Sequence, residues 1–293
     1  MMLLQTVLEL KKSGGYEIVV AAVRAGGELE KKFVDAGVKT FVASRAGFVF
    51  GPLLTWWRLS RLVREFAPQV IHSHVFSADF TARFLPRKSS KIFWISTQHN
   101  GHELYSSFRR TILKFVLRAA DQVIAVSPEV RDFCASCLDV PVARLRLIIN
   151  GVPIENYRCP NLPRFSSPFR LVNVGRLISQ KNQALLLSAL SELKKYDWIL
   201  HIYGEGELRT QLEMLTRSLK ISDRVVFFGN TEKIAQVFCT ADLVVQTSDF
   251  EGMSLVLLEA MTAGRTIVAT EAAGKGIIAN GVDGILVGKG DRV

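Results

Sequence analysis

The stretch Ser248 to Gly264, SDFEGMSLVLLEAMTAG, constrains the fold of this chain more than any other, because it joins an apolar run to a glycine turn and a helical segment. Leu243, Val244 and Val245 just before it are apolar and mostly β-branched, which predicts a buried strand, whereas Ser254 to Met261 predicts a helix. Gly252 supplies the turn and Ser254 suits the N-cap. A helix that begins at the carboxyl end of a buried strand directs free backbone N–H groups and a positive dipole end outward, and that arrangement favours a dianion. Glu251 and Glu259 flank the turn. Glu259 lies among the apolar neighbours of LVLLEAM, where a carboxylate needs hydrogen-bonding partners, and ribose hydroxyls would serve. The spacing itself decides little, since Glu9 with Glu17 and Glu205 with Glu213 repeat it.

The rest of the chain alternates in the same way. LLQTVLELKK is a helix closed by Ser13-Gly14-Gly15, YEIVVAAV a strand, the segment through Leu29 and Phe33 to Gly37 a helix, and VKTFVA a strand. This is the doubly wound α/β pattern. VIHSH ends with His72 and His74 on one side of a strand, and KIFWISTQHN runs into His99 and Asn100. Ligands of open α/β sheets bind at the carboxyl ends of strands, so His74 and His99 are placed for substrate contact, with His102 as a competitor. Asp121 to Val126 is a further strand, and SPEVRDFCASCL a helix with Ser127 as N-cap and Pro128 in its first turn. RCPNLPRFSSPF has the composition of a linker, which sets the domains at 1–162 and 163–293. The second domain opens with FRLVNVGRLISQKNQALLLSAL, in which Leu185, Leu186, Leu190 and Leu193 face inward. Arg176 and Lys181 flank its strand-to-helix turn, where two cations can embrace a diphosphate. The P-loop pattern is absent, and Gly204-Glu205-Gly206 fails as a dinucleotide fingerprint because Arg209 occupies the third glycine position.

Composition narrows the classes. A chain of 293 residues with 48% hydrophobic residues can bury two cores, and no apolar run reaches the roughly 18 residues of a membrane span. No signal peptide is evident, so a cytoplasmic location is expected. Residues 1–160 hold 22 Lys/Arg against 13 Asp/Glu, which gives this half most of the net charge of +10. Two basic helices stand out: Trp56, Trp57, Leu59, Leu62, Val63 and Phe66 against Arg58, Arg61 and Arg64, then Arg109, Arg110, Lys114 and Arg118 beside Phe108, Ile112 and Phe115. Each is either a core stripe with a solvated back or an anchor on an anionic membrane. No nucleic-acid motif accompanies the charge. Cys134 and Cys137 form a C-x-x-C without further zinc ligands and are expected to pack one helix face as thiols, while Cys159 and Cys239 stand alone.

EGMSLVLLEAMTAG resembles the donor-site signature of retaining glycosyltransferases of family 4, which have the GT-B fold. The likeness continues through SHVFSADF, STQHN, ADQVIAVSPEVRD, INGVPIENY, VNVGRLISQKNQALLLSAL, IYGEGELRTQLE, VVFFGN and DGILV. It implies two Rossmann-like domains with parallel sheets facing a cleft, and a metal-independent, cofactor-free hexosyltransferase. The donor would be a nucleotide-diphosphate sugar, UDP-linked rather than GDP-linked, and the acceptor a saccharide or lipid-linked hydroxyl in surface polysaccharide or glycolipid synthesis. Carried over by position, the resemblance implies catalytic roles for His99, Arg176, Lys181 and Glu251. Donor binding falls to Gly175, Gly204, Gly206, Gly229, Asn230, Gly252, Met253, Ser254, Leu255 and Glu259. No D-x-D occurs, which agrees with an expected absence of metal. The chain departs from the family at its ends, where a first strand with its glycine-rich loop and the closing helices are expected and not found, and at Gly276, Ile277 and Ile278, where a glutamate is usual. A truncated, non-catalytic nucleotide-sugar-binding remnant is therefore the competing reading, and a nicotinamide-dependent oxidoreductase a third.

Overall fold

The computed structural model describes residues 2–24, 28–44, 51–87, 92–101, 105–160, 165 and 167–288. His102, residues 161–164 and 166 of the predicted linker and the last residues, Asp291 among them, lie outside the described residues. The chain forms two compact units, Met1–Ile149 and Asn150–Val293. That division falls before the predicted boundary at 162/163. The physical reason is that residues 150–160 pack on the second unit: Tyr157 is buried in its core beside Val152 and Cys159, and Cys159 is disulfide-bonded to Cys239. The expectation that these two cysteines stand alone is thus overturned. Cys134 and Cys137 are free, but only Cys134 is buried, so they do not share an inner face.

The first unit runs α1 (Met2–Ser13), β1 (Val19–Ala22), α2 (Glu28–Asp35), β2 (Lys39–Val42), α3 (Gly51–Phe66), β3 (Val70–His74), α4 (Phe76–Phe84), β4 (Phe93–Gln98), α5 (Ser107–Leu117), β5 (Gln122–Ala125), α6 (Pro128–Ser136) and β6 (Leu145–Leu147). β1 and β2 form a parallel pair covered by a small cluster of Leu4, Val7, Phe33 and Val38. β3, β4, β5 and β6 form a second parallel sheet in that order, and among the described residues no strand pairing links the two sheets. α6 starts as its sequence predicts, with Ser127 accepting from Val130 N at 3.2 Å and Pro128 in the first turn. α3 departs from the predicted stripe. Thr55, Leu59, Ser60 and Val63 are buried, while Trp56 and Trp57 lie outward with Arg61 and Arg64.

The second unit holds α7 (Ile154–Tyr157), β7 (Phe169–Val174), α8 (Gln183–Glu192), β8 (Trp198–Tyr203), α9 (Arg209–Ser218), β9 (Val225–Gly229), α10 (Ile234–Thr240), β10 (Leu243–Gln246), α11 (Leu255–Thr262), β11 (Thr266–Thr270), α12 (Glu271–Gly274) and β12 (Ile285–Val287). Its six parallel strands lie in the order β12-β11-β10-β7-β8-β9. Winding proceeds outward from β7 on one side and from β10 on the other, so the topological switch point lies between them, with a crevice at their carboxyl ends. Separate apolar clusters fill the two faces, one centred on Val172, Phe238, Val244 and Leu257 and the other on Leu187, Leu200, Ile202 and Ile221. Among the described residues no helix is long and apolar enough to cross a membrane.

Two-stranded sheets are marginal on their own, and β1 contributes no fully buried residue. In native-state hydrogen exchange the amides of 19–22 and 39–42 should exchange at least about tenfold faster than those of β7, β8 and β10. Equal protection of the two sets would show that the small sheet is held as firmly as the six-stranded one.

Candidate functional site

At the switch point of the second unit, the turns after β7 and β10 are stitched together. Asp249 N donates to Gln180 O at 2.9 Å, Gln180 Nε2 to Phe250 O at 2.9 Å, and Thr247 Oγ1 to Asn182 O at 3.0 Å. Within this frame Lys181 Nζ and Glu251 Oε1 form an ion pair of two side chains that are mostly buried, and Ser248 Oγ donates to the same carboxylate oxygen at 2.8 Å. The structure therefore brings two of the sequence-predicted catalytic residues into contact. Arg176 is exposed beside them, and among the described residues its guanidinium has no partner. Ser254 occupies the N-cap position of α11, but its side chain makes no capping bond. Among the described residues its Oγ is buried without a partner, at 3% residue exposure, where the free N–H groups of the helix begin. Gly252 is buried, and Met253 and Leu255 are half-buried in the same turn.

The glycines of the neighbouring turn are explained by backbone packing. Gly204 has φ +139, and a Cβ there would lie 2.0 Å from Gly175 O; one on Gly206 would lie 2.3 Å from Leu177 O. Leu177 N donates to Glu205 O and Gly204 N to Gly229 O, at 2.9 and 2.8 Å. Gly175, Gly204, Gly206 and Gly229 thus form one backbone lattice behind the Arg176 turn, with Asn230 exposed at its edge.

The three glutamate pairs of equal spacing separate clearly. Glu9 pairs with surface Lys12, and Glu205 and Glu213 both hold Arg209 on the outside of α9. Only Glu251 and Glu259 belong to the switch point. Glu259 is 7% exposed and accepts from Tyr157 Oη at 2.8 Å. Burial raises its pKa, and the Tyr157 hydrogen bond works against that rise. Tyr157 carries no local signal of this role, because its partner is 102 positions away.

In the first unit the two strand-end histidines meet: His74 Nδ1 and His99 Nε2 are 2.9 Å apart, and His72 Nε2 lies 2.7 Å from Thr97 Oγ1. His74 Nε2 is buried without a partner among the described residues. An orphaned donor costs more than an orphaned acceptor, so the network assigns the His74 proton to Nδ1 and makes His99 Nε2 the acceptor. His99 then carries its own proton on Nδ1. His74 therefore meets His99 at the strand ends that the sequence marked for substrate contact. Beneath them lies a group that periodicity does not reveal. Asp79 of α4 is fully buried and accepts from Ser73 Oγ (2.6 Å), Ser96 Oγ (2.7 Å) and Gln98 Nε2 (2.8 Å), fixing the ends of β3 and β4.

Comparison with known proteins now bears on the whole chain. The Glycosyltransferase Family 4 model matches residues 2–156, and the Glycosyl transferases group 1 model matches 168–293. The chain belongs to glycosyltransferase family 4. The lipopolysaccharide core biosynthesis glycosyltransferase LpsD of Rhizobium meliloti is 28% identical over 243 residues, covering 81% of this chain and 65% of LpsD. The UDP-Gal:alpha-D-GlcNAc-diphosphoundecaprenol alpha-1,3-galactosyltransferase of Escherichia coli is 24% identical, covering 78% of this chain and 65% of the relative. Anabaena HepE, solved in complex with UDP and glucose, superposes with a TM-score of 0.86 at 20% identity, over 99% of this chain and 82% of HepE, and shows the fold to be GT-B. The chain spans 46% to 65% of the length of the first curated relatives it matches.

The histidine pair gives this family member a testable acid response. Burial first, then the neighbouring histidines, lowers the pKa of His74 from 6.5 to about 3, and burial then His72 lowers that of His99 to about 4. Depressed histidines leave the unfolded chain binding more protons, so their contribution is intact above the ordinary value and is lost as pH falls from 6.5 toward 4. Asp79, raised by burial, acts in the opposite direction. The urea midpoint should fall between about pH 7.5 and about pH 5, and His74→Asn should flatten that dependence. An unchanged slope in the variant would remove His74 as its source.

Proposed function

We propose that this protein is a retaining glycosyltransferase that moves a sugar from a nucleoside-diphosphate donor to an acceptor hydroxyl in surface polysaccharide or glycolipid synthesis. The observation that carries the reading is the convergence of Lys181, unpaired Arg176 and the buried, unpartnered Ser254 hydroxyl at the N-terminus of α11. Departure of the diphosphate leaves an oxocarbenium-like sugar, so the main demand is stabilisation of charge on the leaving phosphate. Arg176 offers a planar fork, Lys181 the two ammonium donors that Glu251 does not take, and the turn Gly252 to Leu255 its amides. These charges meet the demand without a metal. Glu251 is assigned to donor sugar hydroxyls, Glu259 to the ribose, and His99, through its Nδ1 proton, to substrate contact at the carboxyl end of β4. The glycine lattice, with Asn230, is assigned to the base side. A UDP-linked donor and a lipid-linked acceptor are favoured by the names of the relatives: HepE was solved with UDP, and the Escherichia coli enzyme is named for a UDP-galactose donor and a diphosphoundecaprenol-linked acceptor.

Arg176→Ala and Lys181→Ala should each lower kcat/KM for transfer by about 10². Arg176→Ala is the cleaner variant, since it removes a cation that supports nothing else, and its thermal midpoint should be unchanged. Transfer at the wild-type rate in both would remove the diphosphate assignment.

The first unit suits a membrane-linked acceptor. Trp56 Nε1 donates to Phe84 O at 2.8 Å, Phe80 and Phe84 have ring centroids 5.2 Å apart, and the Arg83 guanidinium lies 5.0 Å from the Phe115 ring. These contacts join the exposed faces of α3, α4 and α5 into one aromatic band, with Trp57, Phe108, Arg61, Arg64 and Arg109 around it. We assign this band to the anionic cytoplasmic face of a membrane, where each nearby cation contributes about 1 kcal/mol. Sedimentation with anionic vesicles should exceed that with neutral ones, weaken with salt, and drop several-fold in a Trp57→Ser, Phe108→Ser variant. Binding indifferent to lipid charge would leave the band as ordinary surface.

A further inference from the structure

We propose that Tyr157 is a positioning residue of the donor site, whose hydroxyl holds the Glu259 carboxylate in the orientation that takes a ribose diol. The inference rests on the assignment of Glu259 to the ribose and adds a residue and a specificity to it. Tyr157 and Glu259 are 6% and 7% exposed, and among the described residues the phenol is the only hydrogen-bond partner of the Glu259 side chain. An ionised carboxylate offers about four lone-pair sites. Tyr157 occupies one on Oε1, which leaves Oε2 and the remaining Oε1 lone pair for two vicinal hydroxyls.

The phenol is well placed to impose direction. It stands at the end of α7, which begins after Pro153 and packs against α10 and α11. Two residues later Cys159 is bonded to Cys239 of α10, so the segment is fastened on both sides of the hydrogen bond. Burial and the adjacent Glu259 push the Tyr157 pKa up, which keeps the proton on the phenol oxygen and Glu259 as acceptor. A phenylalanine would fill the same space in the core and leave the carboxylate free to rotate. The tyrosine is therefore informative: its ring satisfies the packing, and its oxygen serves only Glu259.

The test is titration calorimetry of the full chain with UDP and with 2′,3′-dideoxy-UDP, and in parallel with GDP and its dideoxy analogue. The wild type should prefer the ribonucleotide by about tenfold or more, since two hydrogen bonds to a charged group are at stake. In Tyr157→Phe the preference should shrink to about twofold, with donor KM raised and kcat at saturating donor unchanged, because positioning of the ribose acts on affinity. The loss should be larger at about pH 6 than at about pH 8, because Glu259 deprived of its donor is more readily protonated. In a Glu259→Ala background, where no side-chain oxygen remains for the phenol to hold, Tyr157→Phe should change the preference no further, and an equal additional loss there would show that the phenol does not act through Glu259. If wild type and Tyr157→Phe prefer the ribonucleotide equally, Tyr157 is packing alone and the inference fails while the donor site stands. If the wild type shows no preference, the ribose assignment of Glu259 fails and the inference falls with it.

Discussion

The second unit depends on holding opposite charges at the switch point of a parallel sheet. Lys181 and Glu251 come from turns that follow β7 and β10, strands far apart in sequence and adjacent in space. A mostly buried carboxylate or ammonium left alone there would be strongly destabilising, by about 3–5 kcal/mol. Each side chain therefore requires the other turn to be in place. The backbone bonds between Gln180, Asp249 and Phe250 hold the turns at the distance the pair requires. The glycine lattice follows from the same demand, because the Gly204 turn must approach the Gly175 backbone more closely than any Cβ would permit. Chemistry and fold are specified by one set of contacts.

In the first unit a fully buried carboxylate plays the corresponding part. Asp79 collects hydroxyls from alternate residues of β3 and β4 and an amide from Gln98, so the sheet face beneath the histidines is polar where an apolar core would be usual. Trp94 Nε1 extends the network by donating to Ser73 Oγ at 2.8 Å. Such a network has a defined geometry, unlike a greasy surface that tolerates sliding. It fixes where β3 and β4 end, and with them the rings of His74 and His99. The protonation of His99 is then set by which His74 nitrogen is orphaned.

Much of this was legible in the sequence because local chemistry determined it. Ser127 with Pro128 marked a helix start, Gly175 a turn, Arg176, Lys181 and Glu251 stood out as charges beside predicted strand ends, and Glu259 as a carboxylate within an apolar helical run. What escaped was non-local. Tyr157 looks like the apolar end of a short turn, Asp79 like the acidic first turn of a helix, and Cys159 and Cys239 like two lone thiols. Each is defined by a partner that only the folded chain supplies. The domain boundary shifted for the same reason, since a proline-rich composition marks where chain is irregular and not which core it joins. α3 shows the limit of periodicity: its stripe allowed Trp56 and Trp57 on the same face as Leu59 and Val63, whereas the fold buries the smaller pair and leaves the indoles outside.

The two glutamates of the signature show why spacing was a weak guide and environment a strong one. Two turns of helix would place any such pair on similar faces, but Glu251 precedes α11 and only Glu259 lies within it. Glu251 is offset by a full positive charge and can exchange that partner for a ligand that brings its own hydroxyls. Among the described residues Glu259 has only a neutral phenol, so burial continues to push its pKa up. A carboxylate in that condition gains most from a ligand with two hydroxyl donors and no negative charge of its own at the point of contact. A ribose diol satisfies that requirement, and a phosphate does not. The opposite holds around Arg176, Lys181 and Ser254. On the proposed function, this difference divides the site into a diphosphate end at Arg176, Lys181 and Ser254 and a ribose end at Glu259.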